Sequence, residues 1–148
     1  MSATFWPHLL AVGLGTALTV QVGMNATVGR ALDSPLWASV ANFVVGLVAL
    51  LAYGLLAGSR PASQALGQVP AWAWLAGLLG AVYVAGSTLL GPRIGALALV
   101  AFVLVGQLVM ALLVDQYGVL GFPREPVTPL RLLGAALLVV GAVLVLRR

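Results

Sequence analysis

The chain is read as an all-α integral membrane protein of five transmembrane helices, and three observations lead there. Hydrophobic residues make up 62% of its 148 positions and charged residues only 7%, far from the roughly 25% charged typical of soluble domains. Five glycine-rich apolar stretches follow one another, nearly free of charge and separated by short polar breaks. None alternates polar and apolar residues over about ten positions, as a membrane barrel would. A soluble fold of this length could not bury so much apolar surface, so lipid must cover the rest.

The first stretch, 8–32, is interrupted only by Gln21, Asn25 and the near-terminal Arg30. It lacks a basic leader and runs too long for a cleaved signal, so it is expected to remain as a helix. Asp33-Ser34-Pro35 reads as a break and a new helix start, with a capping side chain and proline in the first turn. The second stretch, 36–57, carries no charge, and Gly58 to Pro70 form the first substantial loop. The third, 71–90, is expected to stop at Gly91-Pro92-Arg93, and the fourth runs 94–115. Gln116 to Thr128 make the longest loop, and the fifth stretch, 129–146, ends on Arg147-Arg148. Each is close to the length that crosses about 30 Å of hydrocarbon at about 1.5 Å per residue, the fifth being the shortest. Trp6, Trp37, Trp72 and Tyr117 lie near segment ends, where amphipathic rings favour the headgroup layer. Together the five stretches are expected to form one domain over 1–148.

Seven arginines, no lysine and a net charge of +4 do not make a nucleic-acid surface, because the arginines stand at segment ends without a basic stripe. With five helices the termini fall on opposite sides. Arg60, Arg124 and Arg131 then lie on the N-terminal side, and Arg30, Arg93, Arg147 and Arg148 on the other. Short-loop positive charge sets orientation, and a split this even predicts dual topology, with copies inserted both ways and paired antiparallel.

Helix one orders its small and polar residues four apart: Gly13, Ala17, Gln21, Asn25 and Gly29. Small residues in such a ridge admit another backbone, and amides bond across it, each such bond contributing roughly 0.6–2 kcal/mol. Gln21 and Asn25 therefore either hold helices together or line a cavity, and both roles are open. Helix four repeats the spacing with Gln107, Ala111 and Asp115; Asn42, Tyr83, Ser87 and Thr88 complete the intramembrane polar set. Gln21, Asn25, Asn42, Tyr83, Ser87 and Gln107 are the expected solute-binding residues. Asp115 is the one acid near the membrane and the candidate for ion coupling, although its place at a helix end favours a cap, an arginine partner or water. Gly77, Gly80, Gly134 and Gly141 join Gly13, Ala17 and Gly29 as expected packing positions. No enzyme, cofactor or metal is expected: cysteine is absent, His8 lacks a ligand or triad set, and Gly13-Leu14-Gly15 lacks the third glycine of a dinucleotide loop.

Four patches resemble the YdcZ family of short membrane proteins, within the drug/metabolite transporter superfamily. They are Gln21 to Leu32 with Ser34-Pro35, Trp72 to Ala81, Gly106 to Gly118, and Arg131 to Gly134 with Gly141. The resemblance implies a half-sized transporter in the inner (plasma) membrane of a bacterium, since larger superfamily members carry two five-helix halves of opposite orientation. It is similar more distantly to small multidrug resistance proteins, whose first helix bears an essential glutamate; here that helix offers Gln21 and no acid. The reading that results is an antiparallel homodimer, a ten-helix inverted repeat that moves a small neutral or anionic polar solute by alternating access. A small dual-topology ion channel, and a non-transporting subunit that needs a partner chain, remain open beside it.

Overall fold

The computed structural model describes residues 5–59 and 67–145. The part of the first loop around Arg60-Pro61-Ala62-Ser63, together with Leu146, Arg147 and Arg148, lies outside the described residues. Among the described residues five α-helices follow one another: α1 Trp6–Ala31, α2 Pro35–Leu56, α3 Ala76–Ile94, α4 Ala96–Tyr117 and α5 Pro129–Val145. No strand occurs among the described residues. By contacts the chain divides into two compact units, Met1–Arg93 and Ile94–Arg148.

In the first unit, α1 and α2 are joined by three residues, and the joint follows the sequence expectation. Ser34 caps α2 by accepting a hydrogen bond from the Trp37 N–H at 3.3 Å, and Pro35 opens the first turn. Asp33 takes a positive φ of 47°, a conformation that a short polar side chain tolerates better than most. Gly29 lets this corner close: a Cβ there would stand 3.5 Å from Pro35 Cα, 3.6 Å from Thr88 and 3.7 Å from Ala38. The buried residues of this unit are mostly small, including Ala26, Ala38, Ser39, Ser87, Thr88 and Gly91. Close backbone approach over small residues is how helices pack where lipid removes the hydrophobic drive.

Two helix boundaries differ from the sequence expectation. A 3-10 turn, Ala71–Leu75, precedes α3 and begins from Pro70, whose carbonyl accepts from the Ala73 N–H at 2.9 Å. At the other end, α3 does not stop at Gly91 but runs through Pro92 to Ile94. Proline frees a carbonyl one turn earlier, and membrane helices tolerate this when nearby hydroxyls and neighbours absorb the disturbance. The carbonyl freed is that of Thr88, whose own Oγ1 donates one turn further back, to the Val84 carbonyl at 2.8 Å. The chain breaks instead at Gly95, with φ 87° and ψ 150°, a region essentially restricted to glycine. No neighbouring atom lies within 4 Å of a Cβ built at Gly95, so alanine there meets backbone strain alone. Gly95→Ala is expected to destabilise the protein by about 1–3 kcal/mol, read as a lowered denaturation midpoint in detergent.

In the second unit, α4 ends at Gly118 and an irregular loop leads to α5. That loop is tied down at several points. The Glu125 N–H donates to the Asp115 carbonyl at 2.8 Å, the Val127 N–H to Gln116 Oε1 at 2.8 Å, and Arg124 Nε to the Gln116 carbonyl at 3.1 Å. Arg131 gathers the acids, pairing with Glu125 and lying 3.5 Å from Asp115.

Large apolar side chains point outward throughout, Leu55 and Leu56 being over 80% exposed, and no large side chain is fully buried among the described residues. A perimeter of this kind is stable only under lipid or another apolar partner. Four helical spans (Trp6–Ala31, Pro35–Leu56, Ala71–Ile94 and Ala96–Tyr117) are long and apolar enough to cross a membrane. The fifth helix is apolar but has 17 described residues, a rise of about 25 Å. The sequence expects five spans; among the described residues four meet the spanning length, and the fifth helix is described over 17 residues.

Candidate functional site

The two amide residues of α1, Gln21 and Asn25, fall on the side that meets α2. Gln21 Nε2 donates to Asn42 Oδ1 at 3.1 Å, a bond between helices made by two half-buried amides. One turn further along α1, Asn25 is 7% exposed. These three amides lie in a groove of about 640 Å³ between α1 and α2, whose other walls are apolar, among them Met24, Val28, Phe43 and Leu47. That volume lies in the range of about 300–1,000 Å³ usual for small-molecule sites. Among the described residues, no charged side chain lines the groove. Its chemistry is therefore hydrogen bonding against an apolar wall, with no ion to attract or repel a solute.

Asn25 differs from its neighbours. Its amide makes no hydrogen bond to another described residue, whereas the Gln21 and Asn42 amides are partly consumed by one another. The residue is largely buried, yet no buried side-chain nitrogen or oxygen is left unsatisfied among the described residues, so the Asn25 amide still reaches open space, and the groove is the space in which it can find a partner.

The remaining expected residues are placed elsewhere. Tyr83 is half-buried and Ser87 buried on α3, and neither lines the groove. Gln107 is exposed on α4, in the second unit. Asp115, near the end of α4, is half-buried and faces Arg131. Among the expected packing positions, Gly29 closes on Pro35, Ala38 and Thr88 as described, and a Cβ built at Gly80 would stand 3.7 Å from the Phe43 ring. Ala17 is exposed, and Gly13, Gly77, Gly134 and Gly141 have open space around them. A second, smaller pocket of about 240 Å³ brings Arg30 and Arg93 together with Asp33 and Thr88. Both arginines thus stand at one end of the first unit, on the face that the loop count assigns to them. No group of three or more metal-ligating side chains occurs among the described residues.

Sequence reasoning missed the apolar walls of the groove and the role of Gln116 as the anchor of the second loop. Part of the signal was present. Gln21, Met24, Asn25 and Val28 on α1, with Ala38, Ala41, Asn42 and Val45 on α2, recur at helical spacing. Gln116 offers no such pattern.

Apolar helices of spanning length, the first two enclosing an amide groove, define a small polytopic membrane protein. Comparison with known proteins narrows this: the family described as "Putative inner membrane exporter, YdcZ" matches residues 6–144. The chain is also 32% identical over 146 residues to the inner membrane protein YdcZ of Escherichia coli K12, covering 95% of this chain and 93% of that one. The chain belongs to the YdcZ family and is an inner-membrane protein. No solved structure matches it.

Proposed function

We propose that the protein is a half-sized exporter that works as an antiparallel homodimer, its two chains forming one polar chamber by alternating access. The observation that carries this is the α1–α2 groove, with Gln21, Asn25 and Asn42 set in an uncharged wall. The outward direction follows the family description. The near-even arginine split supports opposed insertion. Opposed copies are related by a two-fold axis in the membrane plane, the symmetry through which many carriers exchange inward-open and outward-open shapes. In this arrangement α5 completes five membrane passages despite its length, since a short apolar helix is accommodated by local bilayer thinning. The five helices then act as a single transmembrane domain. Tyr83, Ser87 and Gln107 add hydroxyl and amide groups to the chamber, and Gly13, Ala17, Gly77, Gly134 and Gly141 meet the partner chain. Asp115 serves the loop through Arg131, and coupling through this acid is a secondary role.

A chamber of amides and hydroxyls without carboxylates suits neutral or anionic polar solutes above permanent cations. Proteoliposomes loaded with a mixture of small neutral, anionic and quaternary-ammonium solutes test this by mass spectrometry of the outer medium. Saturable, protein-dependent release of neutral or anionic members is expected. Tight saturable movement of the quaternary ammonium members removes the solute class. Single-channel currents remove the carrier.

A further inference from the structure

The groove between α1 and α2 combines two properties that together select its occupant. Its lining is mostly apolar, with Met24, Val28, Phe43 and Leu47 beside the three amides, and it contains no charged side chain among the described residues. Asn25, the one amide residue of the three that is buried, is 7% exposed; its amide makes no hydrogen bond among the described residues and is not sealed from open space. An amide offers both a carbonyl acceptor and N–H donors. The Gln21–Asn42 bond leaves a second such pair, the Gln21 carbonyl oxygen and the Asn42 amino group, one helical turn away on the same groove. All three lie on helices long and apolar enough to span a membrane, with lipid-compatible side chains on the outer faces.

We infer that the groove binds an uncharged amphiphile, an apolar body carrying one small head group that both donates and accepts hydrogen bonds, with Asn25 as the residue that reads the head. The inference rests on the transporter reading and narrows its solute from neutral or anionic polar compounds to this class. A cationic or anionic head would leave an unpaired charge in a low-dielectric wall, which is costly, whereas a primary amide or an alcohol completes the bonds that Asn25 lacks. The apolar walls hold the body at ordinary van der Waals distance. A purely polar solute of the same size leaves those walls wet and gains nothing from them. Entry is lateral, because an uncharged amphiphile partitions into the bilayer before it meets the groove.

The test is binding to the purified full chain in lipid nanodiscs, using octanamide as probe against octanoate and octyltrimethylammonium. Octanamide is expected to bind saturably and at least about tenfold more tightly than either charged analogue, by isothermal titration. Asn25→Leu, close in volume and without the amide, is expected to weaken octanamide about tenfold, the loss of one or two hydrogen bonds. Asn25→Asp should reverse the preference toward the ammonium analogue, a change of selectivity that general unfolding does not produce. Equal or tighter binding of octyltrimethylammonium by the unaltered chain overturns the inference. So does octanamide binding that Asn25→Leu leaves unchanged, or loss of a chain dimer on Asn25→Leu without any octanamide binding, which places a second copy in the groove. Octanamide binding without flux in the proteoliposome mixture upholds the site and removes the carrier. Flux that Asn25→Leu does not alter keeps the carrier and removes the site.

Discussion

Gly118→Ala is expected to destabilise the second unit by about 2–4 kcal/mol, the sum of backbone strain and forced overpacking. Gly118 closes α4 with φ 63° and ψ 46°, its N–H donating to the Val114 carbonyl at 2.8 Å. Glycine adopts this left-handed cap freely, and a Cβ makes it costly. A second cost is specific to this loop. A Cβ at Gly118 would stand 2.8 Å from Arg124 Cβ and 3.1 Å from both its Cα and its nitrogen. Backbone atoms cannot swing aside as the end of a long side chain does. Arg124 is itself held by its bond to the Gln116 carbonyl, and the next residue by the bond from the Glu125 N–H to the Asp115 carbonyl. Relief at Gly118 therefore means loosening the whole strap from Gln116 to Arg131. Gly118→Asn separates the two costs, since asparagine tolerates the left-handed region but still carries a Cβ. Denaturation midpoints in detergent should fall for both variants, and further for alanine. An unchanged midpoint for asparagine would mean that the Arg124 contact carries no cost.

How much of this was legible in the sequence depends on whether a signal was local. Helix positions were, because each apolar stretch is long and bounded by proline, glycine or charge, as at Asp33-Ser34-Pro35. Gln21 and Asn25 were legible as one face, since four-residue spacing fixes that by itself. The pairing of Gln21 with Asn42 was not, because it depends on the register that Gly29 and the three-residue joint impose between two helices. Pro92 misled for a physical reason: a proline that ends a helix in water is tolerated within a membrane helix, and α3 runs through it to Ile94. The apolar walls of the groove escaped notice for want of contrast. In a chain with 62% hydrophobic residues, Met24 and Phe43 look like every lipid-facing residue around them. Asp115 was legible as a helix-end acid that could take an arginine, but not as the partner of Arg131, which lies beyond an irregular loop.

Shifting the arginine balance is expected to abolish the dimer in each of two opposite variants and to restore it when they are made together. In one variant, Arg93→Gln and Arg148→Gln with Ser59→Arg leave four arginines on the N-terminal face and two on the other. In the other, Arg60→Gln with Ile94→Arg leaves two against five. Both Ser59 and Ile94 are exposed, and neither lines the α1–α2 groove. Positive charge in short loops sets orientation, so each variant should insert one way round. The native chain has no cysteine, so a single Gly67→Cys reports the side without interference. In the parent, about half of Gly67→Cys should label from each face; in each variant, one face should dominate roughly tenfold. If antiparallel pairing builds the chamber, either variant alone yields cross-linked dimer at about a tenth of the parent level or less, because its copies all point the same way. Co-expression supplies both orientations and recovers the dimer. The logic does not depend on the solute, so it separates the architecture from the chemistry of the groove. A parent labelled from one face alone, or a variant that dimerises fully by itself, would show that the two copies run parallel. The exchange symmetry is then absent, and alternating access would have to arise within one chain or with a different partner.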